Sequence, residues 1–300
     1  MNPPRVIEAH GKHAQAVRYT RDGALLVSVG MDAKIRLWRR PDYTPAGLIE
    51  GHEKSVNTLA FDRDESHLAT ASSDGSVRVW SFPAGFEISR LRGMTQAAFH
   101  PNASILATLS TKSRVVFSAT TTGIELGSEI VADQRLFAIA WSIDGATLWI
   151  GGTGAIHRFA IELGKGEVVA HPLPAAVGHD IAVTALLALP DGETIASTGA
   201  DGTLRLWSAA TGLERLRVEV PLPGVLQLAT SPDGGRIYLS SDHRILGIRA
   251  MNGATEVVLP VELKGVYGIA VSPDGADLAM AGADGKVRVW DLREEESGGR

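Results

Sequence analysis

Residues 51–81 read GHEKSVNTLAFDRDESHLATASSDGSVRVWS, and three short runs inside this stretch decide the fold. Val56–Phe61, Leu68–Ser72 and Val77–Trp80 are each rich in apolar or β-branched residues. Between them stand Asp62–Glu65 and Ser73-Asp74-Gly75, residue types that supply local hydrogen-bond acceptors and tolerate positive φ. Short runs bounded by such turns read as antiparallel strands in a meander. A fourth run, Glu87–Leu91, follows Trp80 and extends the meander outward.

The phrase that closes the stretch recurs. KIRLW, SVRVW, TLRLW and KVRVW end at Trp38, Trp80, Trp207 and Trp290. Their separations of 42, 127 and 83 residues are about one, three and two periods. The whole span is six intervals of 42, which means seven repeats. A sustained period of this length with four strands per unit is the signature of a β-propeller. Three repeats are worn. The third reads Gln96–His100, Ile105–Leu109, Arg114–Phe117, with Ser118 at the tryptophan place. The fourth reads Leu136–Trp141, Thr147–Gly151, Ile156–Phe159, with Phe159 there; the sixth reads Leu226–Thr230, Arg236–Ser240, Arg244–Ile248, with Ile248 there. Such loss costs little where neighbouring units still bury the apolar faces.

In these features the chain resembles the WD-repeat (WD40) β-propeller family over nearly its whole length. Gly51-His52 and Gly178-His179 match the family's Gly-His start, and Ala9-His10 nearly does. Trp290-Asp291 matches the Trp-Asp ending fully; Trp38-Arg39, Trp80-Ser81 and Trp207-Ser208 keep only the tryptophan. The resemblance implies an all-β, seven-bladed propeller of four-stranded antiparallel blades over residues 1–293, with 294–300 a disordered tail. Arg5-Val6-Ile7-Glu8 has the right offset to complete the last blade and close the ring, which would remove exposed edges.

Composition narrows the function. With 44% apolar and 21% charged residues the chain is globular, not disordered. Lys plus Arg is 29 against 34 Asp plus Glu, so neither a general nucleic-acid binder nor an anionic-membrane binder is expected. The absence of cysteine excludes disulfides, thiolate metal sites and cysteine nucleophiles. The first residues lack the apolar core of a secretory signal, and no apolar run approaches the ~20 residues of a membrane helix. A cytoplasmic location is expected. Arginine outnumbers lysine 22 to 7 in an Ala/Gly-rich chain, the composition of a GC-rich bacterial genome.

Three repeats carry a polar quartet at fixed spacing: His10, Ser28, Asp32, Trp38; His52, Thr70, Asp74, Trp80; and His179, Ser197, Asp201, Trp207. Ser, His and Asp together also compose a nucleophilic triad. A triad is needed once, whereas this set recurs three times, and every buried indole N–H requires an acceptor. The resemblance implies a hydrogen-bonded chain from turn Asp through His and hydroxyl to the indole. In the seventh repeat Glu262 and Met280 replace the His and the hydroxyl together. Arg36, Arg78, Arg205 and Arg288 repeat two residues before each tryptophan and read as snorkelling stems. Gly151-Gly152-Thr153-Gly154 is a weak phosphate-cradle pattern that falls in frame with a blade turn.

Alignment to Asn57 places Phe137, Leu226 and Tyr267 among small or polar residues where the innermost strands begin. His13 and Arg135 lie just before that ring, and Met31 beside it. Aromatic side chains with a nearby Arg are what interface hot spots favour; packing into the wall is the competing reading. The chain is thus expected to be a non-enzymatic scaffold, monomeric within a complex, holding proteins or peptides on its channel face or rim. No cofactor, metal, nucleic acid or membrane partner is expected. The rival is a propeller enzyme or small-ligand binder, lactonase- or lyase-like, for which Asp242, His243 and His13 are the contributors.

Overall fold

The computed structural model describes residues 3–131, 135–220, 227–240, 244–261 and 265–293. Among these residues all 27 elements are strands, and every pairing is antiparallel. The architecture is therefore all-β, with five four-stranded sheets and one of seven strands among the described residues, consistent with a WD40 propeller.

The chain divides into two compact units, residues 1–59 with 226–300 and residues 60–225. The first unit holds three four-stranded sheets. One is Ala14–Tyr19, Leu25–Gly30, Ile35–Arg39 and Thr44–Ile49; another is Gln227–Thr230, Arg236–Ser240, Arg244–Arg249 and Thr255–Pro260. In the third, Val266–Val271, Asp277–Gly282 and Val287–Asp291 are completed by Arg5–Ile7 from the other end of the chain. The register is Arg5 to Val289, Val6 to Arg288 and Ile7 to Val287. Ile7, Val287 and Val289 then share one apolar cluster with Val17, Leu26 and Trp38.

The second unit begins within Val56–Phe61, the first strand of a sheet continued by His67–Ser72, Ser76–Ser81 and Glu87–Arg92. Next comes Met94–Phe99, Ile105–Ser110, Arg114–Ala119 and Glu125–Ile130. The last sheet has seven strands, because Val168–Ala188 runs unbroken from the outer edge of one repeat into the inner strand of the next. Thr153 pairs with Ala182 and holds this passage extended. The expected separate four-stranded blades are fused there, and Gly178-His179 lies inside a strand. Gly151–Gly154 lies on a hairpin in which Gly152 N–H donates to Ala155, so no phosphate cradle forms.

Two local devices set these turns. Asp22, Asp144, Asp191, Asp233 and Asp274 each accept a backbone N–H two residues on, and the glycine between has φ near +70° to +77°. A residue with a Cβ is strained in that left-handed region. Gly127 has a different reason: a Cβ there would lie 2.1 Å from the Val168 carbonyl oxygen, so only glycine permits the approach.

Candidate functional site

In the first repeat the sheet register brings a complete quartet together. Tryptophan 38 pairs with Leu26, and the hydroxyl of Ser28 is its diagonal neighbour on the same face. His10 Nδ1 is 2.8 Å from Asp32 Oδ1 and its Nε2 is 2.9 Å from Ser28 Oγ. The Trp38 indole N–H donates to the same Oγ at 2.9 Å. In the fifth repeat His179 is 3.0 Å from Asp201 Oδ2 and 2.7 Å from Ser197 Oγ, and Trp207 donates to Ser197 at 2.7 Å. In the second, the Trp80 indole donates to Thr70 Oγ1 at 2.8 Å, and His52 is buried.

These sets cannot act on a substrate. Ser28 and Ser197 have no solvent exposure, and each hydroxyl is already occupied by an indole and an imidazole. Burial holds the His10 and His179 pKa values below the usual 6.5, outweighing the opposite pull of Asp32 and Asp201. Both rings are therefore neutral at pH 7, with Nδ1–H free to donate to the carboxylate. The glycines complete the design. A Cβ at Gly30 would sit 2.5 Å from His10 Nδ1, and one at Gly199 2.4 Å from His179 Nδ1. At Gly178 it would meet Arg205 Nη1 at 2.5 Å, which explains the glycine of Gly-His.

The arginines before each tryptophan are not snorkelling stems. Arg36 donates to Asp32 at 2.7 Å and Arg288 to Asp284 at 2.7 Å. Arg78 and Arg205 are buried and reach Glu87 and Glu214 on the outer strand, at 2.7 and 2.5 Å. A buried guanidinium needs acceptors, here carboxylates, and the signal was a glutamate nine residues after the arginine. Met280, at the hydroxyl place of the seventh repeat, is fully buried. Glu262 lies outside the described residues, as do Leu226, Asp242 and His243.

At the histidine end of the first unit, His13 and Tyr267 stack with ring centroids 5.4 Å apart and planes 17° apart. The His13 carbonyl accepts the N–H of Met31, whose side chain is exposed. Tyr267 and His13 are both half-buried, and Asn57 accepts from Ser55 at 2.9 Å. So three of the expected partner residues, His13, Met31 and Tyr267, form one patch. Arg135 and Phe137 belong to the second unit, where Arg135 is exposed and Phe137 half-buried. Exposed Val177 and Ile181 flank His179 there, which strand reasoning did not single out.

Antiparallel strands put the Asp-Gly turns such as Asp22-Gly23 and Asp274-Gly275 at the opposite end of the first unit's sheets. There lies a cleft of about 610 Å³ lined by Arg5, Arg40, Tyr43, Asp274, Asp277, Asp291 and Arg293. Arg40 donates to Asp277 at 2.7 Å and to Asp274 at 2.8 Å, while Tyr43 O–H donates to Asp277 at 2.6 Å. Burial raises the Asp274 pKa, but hydrogen bonds from Ser272 and Arg40 outweigh it and hold the carboxyl near about 2. Among the described residues no group of three His, Asp or Glu is placed to hold a metal ion.

The WD domain, G-beta repeat family profile matches at residues 1–39, 43–81, 172–208 and 258–291. The chain is a WD40-repeat protein. The four matched stretches are those that end at or just after a retained tryptophan, and the worn repeats lie between them. Similar proteins include "Ribosome biogenesis protein YTM1" of Laccaria bicolor, 29% identical over 143 residues, covering 44% of this chain and 32% of the relative. "Periodic tryptophan protein 2 homolog" of Caenorhabditis elegans is 24% identical over 149 residues, 49% of this chain and 16% of the relative. "Telomerase protein component 1" of Mus musculus is 26% identical over 155 residues, 51% and 6% respectively. The matches thus span a third or less of each relative's length. All three organisms are eukaryotes, so these relatives lend no support to a bacterial origin.

Proposed function

We propose that this chain is a non-enzymatic protein-interaction scaffold, a seven-bladed ring closed by Arg5–Ile7, monomeric and cytoplasmic, serving as one subunit of a larger assembly. The observation that carries the reading is a division of labour between side chains. The Ser-His-Asp sets around His10 and His179 are sealed and each is committed to an indole, whereas the side chains offered to solvent at the histidine end are recognition types. These are stacked His13 and Tyr267, exposed Met31, and on the second unit Arg135, Phe137, Val177 and Ile181. Stacked aromatics give rigid contact area and methionine an adaptable apolar one, which suits a protein partner. Asn57 and Leu226 complete the proposed contact set. One relative's name places that protein in ribosome biogenesis, and work inside an assembly of that kind is proposed for this chain too.

The test is capture of native partners by the tagged chain and by a Phe137→Ala, Tyr267→Ala double variant. Aromatic anchors at an interface centre commonly cost ≥ 2 kcal/mol each, roughly thirtyfold in affinity. The double variant should keep its melting temperature and lose its partner. A large fall in melting would make both residues wall, and unchanged capture would move the binding face elsewhere.

A further inference from the structure

The cleft at the turn end of the first unit contains three arginines, and they are not equivalent. Arg40 spends Nε on Asp277 and Nη2 on Asp274. Arg293 spends Nε and Nη2 on Asp291. Arg5 alone has no carboxylate among the described residues. One of its N–H groups donates from Nη1 to the Pro41 carbonyl at 2.7 Å, and its guanidinium lies 5.7 Å from the centre of the Tyr43 ring. Its backbone is fixed by the ladder to Val289, so the strand, the carbonyl and the ring together position the group. An exposed arginine is usually mobile; this one is held at the wall of a cleft with most of its donors uncommitted among the described residues.

From this geometry we infer that the cleft binds a peptide through a single carboxylate, taken by the free edge of Arg5. A guanidinium pairs best with a planar carboxylate through two parallel N–H donors. The volume falls in the range of sites that enclose small ligands. The surrounding charges choose between anions. Asp274, Asp277 and Asp291 line the same cleft but are engaged by Arg40 and Arg293, so Arg5 is the one cation there without a carboxylate among the described residues and matches a single negative charge better than a dianionic phosphate. The carboxylate can come from a chain end or from an Asp or Glu side chain. Tyr43 is buried beside Arg5, so it orients the guanidinium. This site is separate from the histidine-end patch and does not depend on it.

The test is selection of random hexapeptides displayed with free C-termini on the full chain, counter-selected against Arg5→Gln. Enriched peptides are then resynthesised as free acid, as C-terminal amide, and with each Asp or Glu changed to Asn or Gln. One of these neutralisations should weaken binding at least about tenfold, and which one does so identifies the source of the carboxylate. Arg5→Gln should cost as much, and Arg5→Lys, which keeps charge but not the fork, less. Both variants should melt like the parent; if Arg5→Gln does not, Arg5→Lys alone decides. Tyr267→Ala should bind these peptides normally, which separates failure here from failure of the scaffold reading. The inference is overturned if no peptide depends on Arg5, or if the binders tolerate loss of every carboxylate.

Discussion

The fifth and third repeats perform the same structural task with different chemistry. In the fifth, Trp207 faces Ile195 across the strands and its indole N–H ends on Ser197, which is held in turn by His179 and Asp201. In the third, Ser118 faces Leu106 at the matching place, and its buried Oγ has no hydrogen-bond partner. Thr108, where the networked hydroxyl would be, donates back to the Val116 carbonyl at 3.3 Å. What remains is apolar. Leu109, Val115 and Phe117 are fully buried in one cluster with Trp141 and Leu148 of the following repeat. The fourth repeat takes another route. Trp149 stands at the hydroxyl place, and the Arg158 guanidinium lies 4.7 Å over its ring while donating to the carbonyls of Ala210 and Thr211. The comparison separates two roles. Burial between sheets holds every repeat, and the quartet adds stability and a unique geometry where it survives.

The largest expected effect comes from removing the anchor of a networked repeat. Trp207→Ala should destabilise by about 3–5 kcal/mol, because it leaves a cavity and orphans the Ser197 network. Denaturant unfolding measures this directly, and a loss near that of a surface substitution would break the comparison.

A second contrast sharpens it. His179→Ala should cost about 1–3 kcal/mol by leaving Asp201 and Ser197 unsatisfied. His157→Ala, in the worn fourth repeat, should cost much less, since His157 Nε2 is buried without a partner already. Equal losses would mean that the network contributes nothing beyond packing.

The histidines also make stability depend on pH, with a definite sign. Burial depresses His10 and His179 below 6.5, so below that pH the unfolded chain binds more protons than the folded one. The stability is whole above 6.5 and is lost as pH falls through the depressed folded values. Around His10 stand Asp32 and Arg36; around His179 stand Asp201, Arg205 and Glu214. Asp32 and Asp201 are depressed as well, since their hydrogen bonds outweigh burial, and they continue the loss at lower pH. Melting temperature should fall between pH 7.5 and pH 5. A His10→Gln, His179→Gln double variant should show a flatter fall over that range.

The smallest effect is expected at Ser118→Ala, which removes a hydroxyl that bonds nothing. The change should stay within about 0.5 kcal/mol or stabilise slightly, as removal of an unsatisfied buried group does. A loss above 1 kcal/mol would show that Ser118 is not idle.

The quartets were legible because each is written at constant offsets within one repeat, and strand pairing converts constant offsets into contact. The outer-strand glutamates were legible in principle by the same rule, yet Glu87 and Glu214 carry no motif of their own. The glycine clearances at Gly30 and Gly199 depend on a histidine ring about twenty residues earlier, so the sequence shows only a small residue. The turn-end cleft was not legible at all. Arg40 and Asp277 are 237 residues apart, and only the sheet completed by Arg5–Ile7 brings that end of the chain near them. The same holds for Val168–Ala188, where turn residues Gly178 and Asp180 stayed extended because Thr153 pairs with Ala182.

The central claim is that the buried networks serve the fold and the exposed face serves recognition. Melting temperature and partner capture, measured together on Ser197→Ala and on Tyr267→Ala, test it most directly. Ser197→Ala should lower melting, by about 2–4 °C for each kcal/mol lost, while the folded protein still captures its partner. Tyr267→Ala should melt as the parent does and lose the partner. A Ser197→Ala protein that melts normally but fails in function would contradict the account, because it would make that serine a working nucleophile.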